Sequence, residues 1–302
     1  MMNWKKRAAA AAAAVASAGL ALDPAAAART AAPAAPKPAL WKLADADTNI
    51  YLFGTIHALP KDVKWRTPLL ERAIGEADEL VLEIGDATDT AKAAAALAAM
   101  GVSPGLPPLV ERLPEAKRPA LQKFIEKSQL PMKLLNRLET WAAAMTLIAS
   151  AMRGTGFSRE TGTERGLESS FKAAGKPISG LETVEQQLGF FDGLSEESQR
   201  AFLADAVLDA GDAKALLAAM VEAWTSGDTD AIARTFDDET ELSPELREVL
   251  MRKRNAAWTE WLAKRLERPG TVLVAVGAGH LAGRDSVREM LEARGLKAER
   301  VQ

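Results

Sequence analysis

The run Thr271-Val272-Leu273-Val274-Ala275-Val276 is apolar almost without interruption and rich in β-branched side chains. A segment with no polar face cannot lie at a surface, so it predicts a central strand covered on both sides. It runs into Gly277-Ala278-Gly279-His280, and a helix is expected over Asp285–Arg294 with Gly295 as its C-cap. The same order occurs near the other end of the chain. Ile50-Tyr51-Leu52-Phe53 reads as a buried strand, Gly54-Thr55-Ile56-His57 follows it, and Thr67-Pro68 opens a helix to about Glu76. Strand, Gly-x-x-His, helix, twice over, predicts an α/β fold with both motifs at strand ends. The match is too short to establish duplication, but it fits two halves closing on one cleft.

Further strands are expected at Leu40–Leu43, Glu79–Ile84 and Pro177–Leu181, with a short edge strand within Lys297–Val301. The middle reads as mainly helical: Thr90–Met100, Pro119–Ser128, a long helix over Pro131–Met152, Glu164–Ala174, a helix from Val184, then Ser195–Asp209, Ala213–Trp224 and Asp228–Phe236. Ser243-Pro244-Glu245 has an N-cap serine, an N1 proline and an acidic first turn, opening a helix toward Arg265. No long polar linker divides this body, so residues 40–302 are read as one domain with a mixed central sheet. Before it, Lys5-Lys6-Arg7, an alanine-rich run and the small residues to Ala21 have the three-part pattern of a signal peptide over 1–21, with cleavage after Ala18 or Ala21. Residues 22–39 are an Ala/Pro-rich spacer. The expected location is therefore the periplasm or the exterior, with no transmembrane anchor in the mature chain.

Composition narrows the chemistry. The 302-residue chain has no cysteine, which excludes thiol catalysis, disulfides and Cys-ligated metal centres within it. A net charge of -3 supplies no basic field for nucleic acid. There are two histidines in all, His57 and His280, and both lie in Gly-x-x-His after a strand. Ligands bind at the carboxyl ends of parallel strands, imidazole can ligate a metal or move a proton near neutral pH, and glycine keeps bulk away from both. The bland alternative is a pair of hydrogen-bonded structural histidines.

Glu83 ends the strand Leu80-Val81-Leu82, where an unpaired charge would be costly, so it is either a metal ligand, a general base or a salt-bridged carboxylate. Glu182 ends Ile178-Ser179-Gly180-Leu181 and is either a further ligand or a charge at a helix N-terminus. Arg254 and Asn255 are candidates to hold a substrate carbonyl or phosphate, or to orient the carboxylates, against a reading as a surface pair. Glu164 is weaker, since Glu164 and Glu168 together often decorate a helix face. Two imidazoles and one or two carboxylates suit zinc, manganese or cobalt. His-Glu-x-x-His, Gly-x-Ser-x-Gly, a complete Gly-x-Gly-x-x-Gly and a Walker A sequence are all absent. Trp224, Trp258 and Trp261 sit at helical apolar spacing and read as packing rather than as a ligand cage.

In combination these residues resemble the TraB/GumN family, which is similar to the TIKI metalloproteases. The resemblance spans roughly residues 40–301. It rests on Leu40-Trp41-Lys42, Tyr51–His57, Trp65, Leu80–Glu83, Gly175–Thr183, Gln186-Gln187, Arg254-Asn255, Val274–Leu281 and Gly295-Leu296. It implies a single α/β domain in which the two Gly-x-x-His motifs and the strand-end glutamate face one cavity. For the TIKI branch it implies peptidase activity supported by manganese (Mn) or cobalt (Co), with His57, Glu83 and His280 on the motif positions. Where the family often has Gly-Val-Asp, this chain has Gly162-Thr163-Glu164, a carboxylate one methylene longer. The TIKI anchor and animal context are absent, so the Wnt-directed substrate is not carried over. The expectation is thus a divalent-metal-dependent hydrolase of peptide or amide bonds, its peptide or small-molecule substrate unspecified. His57, His280, Glu83 and Glu182 are its metal-binding candidates, and Glu83, Arg254 and Asn255 its catalytic ones. Related esterase-like and haem-binding proteins keep two alternatives: a metal-independent esterase-like hydrolase, and a non-enzymatic periplasmic protein holding haem or a metal.

Overall fold

The structure, a computed structural model, describes residues 35–85, 89–153, 155–207, 210–237 and 243–302. The expected signal peptide, its cleavage sites and most of the spacer lie outside these residues. Among the described residues six strands form one sheet: β1 (Leu40–Ala44), β2 (Thr48–Thr55), β3 (Glu79–Ile84), β4 (Ile178–Glu182), β5 (Gly270–Gly277) and β6 (Glu299–Arg300), in the order β4-β3-β5-β2-β1-β6. The first four of that order run parallel; β1 is antiparallel to β2, and β6 to β1. The sheet is mixed, as expected, and its last strand is shorter than the sequence implied.

Helices occupy α1 (Pro68–Glu76), α2 (Thr90–Met100), α3 (Arg118–Ser128), α4 (Met132–Leu135), α5 (Thr140–Ala151), α6 (Thr163–Ala173), α7 (Val184–Asp192), α8 (Glu196–Asp205), α9 (Ala210–Ser226), α10 (Thr229–Asp237), α11 (Pro244–Arg247), α12 (Lys253–Arg265) and α13 (Val287–Glu292). Several starts follow from local chemistry. The Thr67, Ser243 and Ser286 hydroxyls each accept a backbone N–H three residues on, satisfying donors that the first turn leaves open.

β5 is buried on both faces, from Val272 at 0% exposure to Val276 at 2%. Leu273 and Ala275 pack with Tyr51, Phe53, Leu80 and Leu82 against α1, α6 and α9. Val272, Val274 and Val276 pack with Ile50, Leu52 and Val81 against α12 and α13. The period-two alternation thus puts a helical layer on each side, and each fully buried aliphatic side chain contributes about 1.5–3 kcal/mol. A third core, around Trp141, Phe191 and Phe202, belongs to the helical middle. Trp224 and Trp258 are core residues, at 1% and 2% exposure.

The single helix expected over Pro131–Met152 is a correction: it breaks between α4 and α5. The backbone there is claimed from elsewhere. The Arg112 guanidinium donates to the carbonyls of Asn136 and Leu138, the Asn136 side chain accepts the Leu109 N–H, and the Glu139 N–H donates to Gly101. These tertiary bonds satisfy the groups that a continuous helix would have paired internally. The helix after Ser195 is described to Asp205, and Asp209 lies outside the described residues.

Candidate active site

The sheet brings both motifs to one edge. Gly54 stands beside Val276 and Thr55 beside Gly277 on the neighbouring parallel strand, while Leu82, just before Glu83, stands beside Ala275. Three successive strands therefore release His57, His280 and Glu83 at their carboxyl ends, where open α/β sheets bind ligands. Bare backbone is needed at this meeting point. A Cβ on Gly54 would stand 3.0 Å from the Ala278 Cα, so the first motif packs directly on the second. A Cβ on Gly277 would stand 3.0 Å from Glu83 Oε1, 3.5 Å from His280 Cδ2 and 3.9 Å from His57 Nε2. The space beside the Gly277 Cα is where the three side chains converge.

His280 is buried. The Asn255 amide nitrogen donates to the Asp285 carbonyl at 2.6 Å, which turns Asn255 Oδ1 toward His280 Nδ1, also at 2.6 Å. Arg254 Nη1 lies 3.2 Å from His280 Nε2, and guanidinium can only donate. Both contacts require the neutral tautomer with its proton on Nδ1 and a lone pair on Nε2. Burial, then the adjacent Arg254 charge, push the His280 pKa down to about 3, in keeping with that assignment.

Arg254 is the hub. Its Nη2 donates to Glu83 at 2.7 Å and to Glu182 at 2.9 Å, its Nε to Glu182 at 2.9 Å, and its guanidinium stacks over Trp258 at 4.7 Å. Trp258 also donates to Glu182 at 3.0 Å and packs its ring on His280 at 4.5 Å. Gln187 reaches Glu83 at 3.3 Å, while its neighbour Gln186 completes a capping box with Thr183. Burial favours the neutral form of Glu83. Nearby positive charge, that of Arg254 foremost, and the Gly277 N–H at 2.6 Å together outweigh it, so Glu83 is ionised well below the usual carboxylate range. Burial likewise disfavours the Arg254 charge, and the two carboxylates more than restore it.

His57 differs: its side chain is 41% exposed, against 9% for His280. Its Nδ1 lies 2.7 Å from Glu164 Oε1. The charge of Glu164 raises the His57 pKa, against the opposing effect of burial. Burial raises the pKa of Glu164; the His57 charge and hydrogen bond, with further hydrogen bonds, together hold it low. The pairing depends on how α6 docks. Thr163 Oγ1 accepts the Ile56 N–H at 3.0 Å, the Thr163 N–H donates to the Ile56 carbonyl at 3.1 Å, and a Cβ on Gly162 would lie 2.2 Å from the His57 carbonyl oxygen. Gly162-Thr163-Glu164 is thus a docking sequence, and Glu164 belongs to the site rather than to a helix face.

The structure gathers His57, His280, Glu83, Glu182, Arg254 and Asn255 in one network, with different tasks. Glu182 and Asn255 are engaged internally: Glu182 by Arg254 and Trp258, Asn255 by His280 and Asp285. Among the described residues no group of three His, Asp or Glu side chains is drawn together closely enough to hold a metal ion in this arrangement, since Arg254 stands among them. Sequence reasoning underrated Glu164 and did not assign Trp258 and Gln187 to the site. The glycine of Gly162-Thr163-Glu164 was the available signal for the first; the other two lie on helices whose docking no local pattern reveals.

The chain is 28% identical over 243 residues to the uncharacterized protein YbaP of Escherichia coli (strain K12), covering 80% of this chain and 88% of that one. It is equally 28% identical over 241 residues to the uncharacterized protein YbaP of Shigella flexneri, covering 80% and 87%. No solved structure matches it. The profile of the TraB/PrgY/gumN family matches residues 39–300, nearly the whole of the described body, and the chain belongs to that family.

Proposed function

We propose that the strand-end cluster hydrolyses a peptide or amide bond with the help of a divalent ion, manganese, cobalt or zinc, held by His57, His280 and Glu83. The observation that carries this reading is the matched outer bonding of the two histidines. Each has its Nδ1 tied to an oxygen, of Glu164 or Asn255, which leaves Nε2 to serve the site. Metal-ligating histidines are oriented in this way. Ionised Glu83 supplies the hard oxygen donor. The donors fit in chemistry, with one condition: Arg254 must leave His280 Nε2. Glu182 fits less well as a ligand, because Arg254 and Trp258 take its oxygens.

Such an ion supplies Lewis acidity that makes water a nucleophile at neutral pH. The chain's own residues do the rest. Glu164 holds His57 by Nδ1, so that its Nε2 lone pair would face the ion. Glu83 orients the centre through Oε1, and Arg254 offers donors to negative charge developing on the substrate. Asn255 is a positioning residue that fixes the His280 tautomer.

Elemental analysis tests this on protein purified without chelator or a histidine tag, beside the folded H57A/H280A double variant. One equivalent of manganese, cobalt or zinc is expected in the parent, directly or after titration, and none in the variant. Equal metal content in the two sinks the assignment. The contact of Arg254 with His280 Nε2 favours a second reading, metal-independent ester hydrolysis with the His57–Glu164 pair as general base. Activity that survives exhaustive chelation yet vanishes in H57A would select it.

A further inference from the structure

A cavity of about 570 Å³ opens beside His57. It lies between Ala94 and Leu97 of α2 on one side and Met145 and Ala149 of α5 on the other, with Phe157 closing it. This wall is almost wholly apolar, although α2 and α5 are joined through a long helical excursion. Cavities that hold small ligands run to about 300–1,000 Å³, so this one has room for several apolar groups. Two exposed cations, Arg153 and Arg159, line it as well. Arg153 uses one nitrogen on the Ser128 carbonyl at 3.2 Å, and Arg159 lies close enough to oppose protonation of His57.

We propose that this cavity is the recognition pocket of the same site, and that its ligand is the carboxyl-terminal end of an apolar peptide. The apolar side chains fill the space between α2 and α5, and the terminal carboxylate pairs with Arg159, assisted by Arg153. The shape and the charge point to one occupant. An apolar wall alone would accept any greasy group, but guanidinium forks at its rim favour a carboxylate through paired N–H donors. Because His57 lines the same cavity, a ligand so placed brings its last peptide bonds to the cluster. The inference rests on the hydrolytic reading for that final step, but not for binding.

Calorimetric titration of the full chain with acetyl-Leu-Leu-Phe tests it, using the free acid, the carboxamide and decanoate, with mass spectrometry of the same samples to detect cleavage. The acid is expected to bind about tenfold more tightly than the carboxamide, as one charge-assisted pair predicts. Ala149→Trp, which fills the cavity, should abolish binding, and Ala94→Trp should do so from the facing helix. Arg159→Gln should remove the preference for acid over carboxamide. Binding without cleavage supports the pocket while counting against hydrolysis. The proposal is overturned if the acid peptide does not bind, if folded Ala149→Trp and Ala94→Trp variants bind it unchanged, or if decanoate binds more tightly than the peptide.

Discussion

At the scale of single residues, the two histidines are shifted in opposite directions by their neighbours. With no other histidine in the chain, both can be followed by NMR, each signal assigned by its loss in the H57A or H280A variant. In protein stripped of divalent ions, His280 is expected to stay neutral with its proton on Nδ1 down to pH 5, while His57 titrates above 6.5. Glu164→Gln should bring the His57 midpoint down, since the carboxylate is the main cause of its rise; an unmoved midpoint would remove Glu164 from the site. Arg254→Met should leave Glu83 and Glu182 uncompensated in a buried setting, costing about 3–5 kcal/mol in urea unfolding. A loss below about 1 kcal/mol would show that the guanidinium is not the hub described here. The candidacy of both histidines was legible, because each follows a strand and a glycine. Their protonation was not, because Asn255, Arg254 and Glu164 approach from distant segments.

Among elements, what could be read was what local chemistry decides: the buried β5, the capped start at Ser243, the proline-led α1. The break between α4 and α5 was illegible because Arg112 and Gly101 cause it through bonds made only in the fold. The π turn Glu248–Arg252 was equally hidden. It lies directly before Arg254 and Asn255 and alters the phase at which α12 presents them, a common use of π turns at functional sites. Docking of α6 gives a prediction at this scale. Gly162→Ala would set a methyl against the His57 carbonyl, so the start of α6 must retreat from the first motif. A destabilisation of about 1–3 kcal/mol is expected, with the His57 midpoint falling as Glu164 withdraws. A variant with parental melting temperature and titration would refute that close approach.

For the molecule as a whole, the titrating groups set a pH profile. The folded state holds the pKa of His280 below its unfolded value, so the unfolded chain takes up more protons between about pH 6.5 and 3 and stability falls on acidification through that range. Glu83 and Glu164, also held low, extend the loss as pH falls below the usual carboxylate range. His57 has the opposite sign: its contribution is complete below 6.5 and is lost as pH rises through its folded value. Thermal melts of metal-stripped protein should therefore show His280→Gln flattening the slope between about pH 6.5 and 4.5, and a slope identical to the parent would contradict a buried neutral imidazole. The α/β class was legible from strand and helix punctuation, whereas the strand order was not, since nothing local says that β5 enters between β3 and β2. That insertion makes assembly of the candidate site depend on a late part of the chain. A chain broken off before residue 270 still carries its first Gly-x-x-His loop, but β2 and β3 then face each other across a missing strand. Neither His280 nor the bare Gly277 backbone is there to receive Glu83. Copies that end there lack the meeting of the two motifs, and the edges of β2 and β3 that β5 would pair stay open.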